Sequence, residues 1–155
     1  MRICLIADPS HLARRAAGRV CNRLGFQSME VSSADGLRKA HRRFNPALTL
    51  VDISLAENSI GALIVSLRYG LGGGSGTILL TGRDLDASAI DQAMVAGADD
   101  YLRRPLDDAS LAQKLRQISG AERMAVGQSD GWSLAPRKGP SSDASGVVVQ
   151  ISDWR

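Results

Sequence analysis

Short apolar segments alternate with helix-like segments five times between residues 2 and 118 of this 155-residue chain. The first apolar run, residues 2–7, is too short for a helix, and apolar side chains recur at helical spacing through residues 10–24. Ser10 is placed to cap this helix and Gly25 to end it. The later pairs are 26–31 with 34–44, 47–51 with 60–69, 77–80 with 86–96, and 100–102 with 107–118. The pattern predicts five β-α units.

Successive β-α units with short connections favour right-handed crossovers onto one parallel sheet. We therefore predict an α/β, doubly wound, five-stranded parallel sheet with strand order 2-1-3-4-5 and helices on both faces. This domain spans residues 1–120. Residues 121–155 are rich in Gly, Ser, Pro and Asp and are predicted to be a linker and loop-rich tail. Two segments of the tail, 131–134 and 146–154, could pair as a short β-hairpin.

Composition narrows the class of protein further. A hydrophobic content of 44% with 23% charged residues is typical of a globular domain, and no segment approaches the length of a membrane span. The N-terminus lacks the pattern of a signal peptide, so a cytoplasmic location with no membrane partner is expected. Cys4 and Cys21 have neither disulfide-framework nor metal-ligand spacing and are predicted to be buried free thiols.

The net charge of +3 is small, but basic residues concentrate in the first two helical segments. The second segment contains Arg38, Lys39, Arg42 and Arg43. These side chains either form a solvated helix face or bind an anionic partner. The two histidines, His11 and His41, lack metal-ligand spacing and are expected on helix surfaces.

Four polar residues lie at or just beyond the ends of predicted strands: Asp8, Asp52, Thr81 and Arg104. Carboxyl ends of parallel strands share one edge of the sheet, where open α/β sheets bind ligands. The four residues are therefore expected to form one acidic pocket. An unpaired carboxylate at the end of a buried strand would be unfavourable, which favours a functional role for Asp52 over a plain turn. Thr81 alone could equally bond the local backbone.

These segments resemble the receiver domain of two-component response regulators, the CheY-like family, from residue 1 to about residue 119. The resemblance implies that Asp52 accepts a phosphoryl group and that Thr81 contacts it. Arg104, followed by Pro105, stands where relatives have Lys-Pro. It also implies a Mg²⁺ ion bound by Asp8, by Asp52 and by the backbone carbonyl of Ser54.

The family resemblance implies a conformational switch and partners as well. Thr81 and Tyr101 would couple the pocket to the surface, although Tyr101 could also simply pack at the rim. The partners would be a histidine kinase or phosphotransfer protein, and a downstream protein bound through helix 4, strand 5 and helix 5. A homodimer is compatible with this reading. An independent enzyme is not indicated, because no further nucleophile-histidine pair is present.

Two positions depart from the family pattern. Pro9 stands where relatives have a second acidic residue, so a direct carboxylate ligand is missing and Mg²⁺ affinity should be weakened or lost. Arg104 replaces lysine, and its planar guanidinium is bulkier and binds in a bidentate manner. The chain is therefore either a phosphoacceptor or a phosphorylation-independent pseudo-receiver.

Two further functions stay open. A pseudo-receiver could be an interaction or nucleotide-sensing module in which Arg103 and Arg104 engage an anion such as a cyclic dinucleotide. Alternatively, the chain could be the N-terminal part of a DNA-binding transcriptional regulator, since residues 131–154 resemble the opening strands of an OmpR/PhoB-type winged helix. DNA would then be a partner only if a longer chain carries the output domain.

Overall fold

The computed structural model describes residues 2–70 and 74–127. Within these residues, strands and helices alternate along the chain as the sequence predicts. The elements are β1 (Ile3–Ala7), α1 (His11–Arg23), β2 (Gln27–Val31), α2 (Ala34–Phe44), β3 (Leu48–Asp52), a 3-10 turn (Ile53–Leu55), α3 (Ile60–Tyr69), β4 (Thr77–Gly82), α4 (Ala87–Ala96), β5 (Asp100–Arg103) and α5 (Asp108–Gly127).

The strands form one parallel sheet in the order β2-β1-β3-β4-β5, which confirms the predicted topology. Its register aligns the carboxyl ends of the central strands. Ala7 pairs with Val51, and Asp52 pairs with Thr81 in the adjacent strand. Residues that follow these strand ends therefore lie side by side.

Two apolar clusters cover the two faces of the sheet. Side chains of β1 alternate between them, since Leu5 packs on one face while Cys4 and Ile6 pack on the other. The first cluster includes residues of α2, α3 and α4, and the second includes residues of α1 and α5. All of β3 is buried, as expected for a central strand covered on both faces.

Helix ends follow local capping chemistry. The Ser10 hydroxyl accepts a hydrogen bond from the Ala13 N–H at 3.2 Å, which confirms the predicted cap of α1. The Asp107 carboxylate accepts from the Ser110 N–H at 2.8 Å in the first turn of α5. Gly97 ends α4 with φ near 123°, a backbone conformation that favours glycine.

Two elements extend at least two residues further than the sequence pattern predicts. β4 continues through Gly82, two residues past the predicted end at Leu80, because Thr81 and Gly82 still pair with β5. α5 continues to Gly127, whereas its pattern predicted an end at Ile118. A glycine inside a helix is about 1 kcal/mol less favourable than alanine, so Gly120 alone does not stop a helix followed by good helix formers.

The expected surface position of His41 is wrong. Its side chain is 3% exposed, while His11 lies on the surface as expected. Ala34, Leu37 and His41 are the buried residues of α2, and their spacing of three and four positions defines one helix face. His41 thus occupies the inward face of a helix whose arginines point elsewhere.

No helix in the described part of the chain is long and apolar enough to cross a membrane. Residues 128–155 lie outside the described residues. They include most of the predicted tail, both segments of its predicted hairpin and the segment that resembles a winged helix.

Candidate functional site

The carboxyl edge of the sheet brings together four of the residues singled out from the sequence. Asp8 directly follows β1, and Asp52 is the last residue of β3. Thr81 is the penultimate residue of β4, and Arg104 directly follows β5. Asp8, Asp52 and Thr81 are each less than 5% exposed. The side chains of these four residues are linked to one another by hydrogen bonds or ion pairs.

Asp52 is the most deeply buried member of the site. Its Oδ2 atom accepts hydrogen bonds from the Ser54 N–H, at 3.1 Å, and from the Ser54 hydroxyl. Its Oδ1 atom accepts a hydrogen bond from the Thr81 hydroxyl at 3.3 Å. Asp52 also caps the 3-10 turn that follows β3. These partners satisfy a carboxylate that would otherwise be unfavourable in the core.

Arg104 contacts both acidic residues. Its Nη1 atom donates a hydrogen bond to Asp8 Oδ2 at 3.0 Å. Its Nε atom lies 3.3 Å from Asp52 Oδ1, close enough for an ion pair, but is buried and makes no hydrogen bond. The Arg104 N–H donates to the Gly82 carbonyl at 2.9 Å, which ties the start of this loop to β4. The guanidinium therefore lies between the two carboxylates.

Asp8 lies in a mixed electrostatic environment. Burial raises the pKa of its carboxyl, and the nearby Asp52 carboxylate adds to the rise. The Ser10 N–H, which donates to Asp8 Oδ1 at 2.8 Å, lowers that pKa, as do the charges of Arg104 and Arg14. Arg14 also donates from Nη1 to the Asp8 carbonyl at 2.8 Å. The raised pKa indicates that burial outweighs these favourable contacts.

Sequence reasoning missed several contributors to the pocket. It considered only the backbone carbonyl of Ser54, whereas the structure places the hydroxyl and N–H of Ser54 on Asp52. Arg14 was seen only as part of a basic helix. Gly82, which follows Thr81, is closely packed, because a Cβ there would lie 2.7 Å from Leu85 Cδ2 and 2.8 Å from Ile53 Cγ2. In the sequence, the small size of the residue after Thr81 was the feature that could have indicated this close packing.

The donor set does not fit a divalent metal ion. Each of the four carboxylate oxygens of Asp8 and Asp52 already has a hydrogen-bond donor within 3.3 Å. The neighbouring Pro9 supplies no carboxylate, and the described residues contain no cluster of three metal-ligating side chains. Mg²⁺ prefers octahedral oxygen coordination, usually with carboxylates free to bind it. Arg104 already supplies positive charge at this position.

Tyr101 lies on β5 at the side of the sheet, where it is half-buried and packs against the apolar cluster of α2, α3 and α4. Lys114 Nζ lies 4.7 Å from the centre of its ring, and Arg103 Cζ lies 5.8 Å from it. Lys114 also pairs with Asp100 at 3.1 Å. Two cations therefore contact the aromatic ring.

No family model matches the chain, and neither does any curated protein. Solved structures do match. A response regulator signal receiver domain from Bermanella marisrubri is 26% identical with a TM-score of 0.66, over 76% of this chain and 97% of that chain. A CheY-like receiver domain from Methylobacillus flagellatus is 25% identical with a TM-score of 0.64, over 76% of this chain and 98% of that one.

A two-component response regulator from Clostridium difficile is 19% identical, with a TM-score of 0.68 over 80% of this chain and 98% of that one. The chain has the receiver-domain fold. In this strand order, the topological switch point of the sheet lies between β1 and β3. Asp8 and Asp52 lie beside it. In this chain the Arg104 side chain pairs with both acids of the pocket.

Proposed function

We propose that this receiver acts in two-component signal transduction and that Asp52 accepts a phosphoryl group from a histidine kinase or a phosphotransfer protein. The observation that carries the proposal is the position of the Asp52 carboxylate at the end of β3. It lies beside the Thr81 hydroxyl and 3.3 Å from Arg104 Nε. A cation and a hydroxyl at this position can offset the negative charge of an incoming phosphoryl group.

In the proposed transfer, an oxygen of Asp52 forms a bond to phosphorus while the phosphorus–nitrogen bond of the donor phosphohistidine breaks. The imidazole nitrogen keeps the electron pair of that bond and takes up a proton from solvent. The product is an acyl phosphate on Asp52. Thr81 and Arg104 donate hydrogen bonds to its phosphoryl oxygens, and the protein's role is signalling without turnover of a small substrate.

The output surface in this proposal consists of α4, β5 and α5, where a downstream protein binds. Two large apolar side chains of α4 support this choice, because Val95 is 89% exposed and Met94 is 40% exposed. In the proposed switch, the Tyr101 ring on β5, which lies 4.7 Å from Lys114 Nζ, changes its exposure when Thr81 moves. The cytoplasmic location expected from the sequence belongs to the same proposal.

Phosphodonor labelling tests the proposal. The full chain is incubated with acetyl phosphate or phosphoramidate, with Mg²⁺ included, and its intact mass is measured beside an Asp52→Asn control. The expected result is a base-labile gain of one phosphoryl group that is absent from the control. A chain that gains no phosphoryl group with either donor would contradict the proposal, as would equal labelling of the control.

A second candidate function is a phosphorylation-independent receiver, which the contact of Arg104 with both acids favours. In that case the interface would be regulated by binding alone, including binding of an anion such as a cyclic dinucleotide at Arg103 and Arg104. Calorimetric titration with cyclic dinucleotides tests the ligand version, and the absence of heat would remove it. The DNA-binding alternative depends on residues outside the described part of the chain.

A further inference from the structure

Two carboxylates lie at the bottom of the pocket, and a cation lies between them. The side chains of Asp8 and Asp52 are 6% and 1% exposed, so water screens their repulsion poorly. Arg104 is the cation, with Nη1 3.0 Å from Asp8 Oδ2 and Nε 3.3 Å from Asp52 Oδ1. We propose that the Arg104 guanidinium takes the place of a divalent metal ion, so that this receiver pocket operates without metal.

Arginine suits this role for geometric reasons. Its guanidinium is planar and permanently charged, and it carries donors on different nitrogen atoms, so one side chain can serve two separate carboxylates. A lysine ammonium is a single point charge and cannot span them in the same way. The Arg104 N–H bond to the Gly82 carbonyl positions the residue against β4.

The second observation is the Nε atom of Arg104, which is buried and makes no hydrogen bond. Buried donors without a partner are rare in folded proteins and call for a specific explanation. In this pocket the Nε–H group is available to an oxygen that arrives beside Asp52. A phosphoryl oxygen fits that description, and to this extent the inference rests on the proposed function.

A divalent ion would have to bind beside the positive charge of Arg104 and share its carboxylate ligands with existing donors. Ser10 donates to Asp8 Oδ1, and Ser54 donates to Asp52 Oδ2. The remaining carboxylate oxygens face Arg104 and the Thr81 hydroxyl. Pro9, the residue after Asp8, adds no carboxylate ligand. The pocket therefore favours the internal cation over an external one.

Thermal unfolding of the full chain, with and without millimolar Mg²⁺ at matched ionic strength, tests this inference. The wild-type Tm is expected to be the same in both buffers. Arg104→Gln, which removes the internal cation, is expected to lower Tm without Mg²⁺ and to regain several degrees when Mg²⁺ is added. Arg83→Gln changes an exposed arginine in the loop after β4 and is the matched control, with no Mg²⁺ response expected.

A Mg²⁺-dependent rise of the wild-type Tm would overturn the inference. This comparison uses the wild-type protein alone and does not depend on whether a variant folds. If Arg104→Gln does not fold, Arg104→Lys replaces it, and a Mg²⁺ response larger than that of the wild type is expected. Labelling by phosphoramidate in EDTA separates the two proposals. Labelling that requires Mg²⁺ overturns metal independence alone, whereas no labelling in either buffer overturns phosphoacceptance and leaves the Tm comparison to decide the role of Arg104.

Discussion

Arg104 Nη1 donates a hydrogen bond to Asp8 Oδ2 at 3.0 Å, although the two residues are 96 positions apart in the chain. One lies after the first strand and the other after the last. Two strands, β3 and β4, lie between β1 and β5 in the sheet, so a long side chain is needed to reach across the pocket. The contact ties the loop after β5 to the residue that follows β1.

Removal of the Arg104 charge is expected to destabilise the fold. Arg104→Gln leaves two buried carboxylates without their cation, which should lower the free energy of unfolding by about 2 kcal/mol. Arg104→Lys retains the charge and should lose less. Urea denaturation monitored by circular dichroism measures both losses, and Arg83→Gln, at an exposed position after β4, should change the value by less than about 0.5 kcal/mol. Equal losses for the two glutamine variants would contradict the assignment.

His41 should make stability depend on pH. Burial, with a contribution from the charge of Arg68, lowers its pKa from 6.5 to about 4. Between those values the unfolded chain binds more protons than the folded chain, so the free energy of unfolding falls as pH falls from about 6.5 to about 4. The full effect is about 3 kcal/mol.

The His41→Asn variant isolates this effect. Asp8, whose raised pKa acts in the opposite direction, titrates in both proteins and cancels in the comparison. The difference in free energy of unfolding between wild type and variant, measured by urea titration across this pH range, should shrink as pH falls. A difference that does not change with pH would show that His41 titrates normally.

Arg68 holds the amino-terminal end of the sheet through several hydrogen bonds. It donates to the Gly97 carbonyl at 2.9 and 3.0 Å, to the Gly76 carbonyl at 2.7 Å, and to Asp99 Oδ2 at 2.9 Å. Arg68→Lys retains the charge without the fork of donors, and we expect it to lower the free energy of unfolding by about 1–2 kcal/mol.

Arg68→Ala should lower it further, to a total of about 3 kcal/mol, because the half-buried carbonyl groups of Gly76 and Gly97 lose their donors. Arg42→Ala, at an exposed position of α2, is the comparison and should change stability by less than about 0.5 kcal/mol. Chemical denaturation distinguishes the three variants. If Arg68→Lys has the same free energy of unfolding as the wild type, the charge at position 68 is sufficient and the additional hydrogen bonds of arginine are not needed.

The two cysteines should not react in the folded protein. Cys4 and Cys21 are both 0% exposed, with their Sγ atoms 3.0 Å apart, and burial raises the pKa of the Cys4 thiol well above its usual value. Iodoacetamide should therefore add no mass to the native chain and two groups to the chain in urea. Ser88→Cys, at an exposed position of α4, should be labelled at once under native conditions. Rapid native labelling of the wild type would place a thiol at the surface.

Local sequence pattern was sufficient for the order of elements and for the convergence of the site. Apolar runs too short for helices indicated strands, and parallel strands necessarily place their carboxyl ends on one edge. Asp8, Asp52, Thr81 and Arg104 could therefore be grouped before any coordinates were known. The buried position of His41 was also accessible, since it lies four residues after Leu37 on the apolar face of α2.

Only the tertiary structure decided how those side chains pair. The sequence places Arg104 after the last strand, but the direction of its guanidinium depends on the strand register and on the carbonyl of Gly82. The Ser54 hydroxyl and the Arg14 side chain reach the pocket for similar reasons. Pattern along a chain determines which face a residue occupies. Contacts between residues far apart in sequence depend on the spacing of packed strands, and this spacing places one guanidinium between two carboxylates.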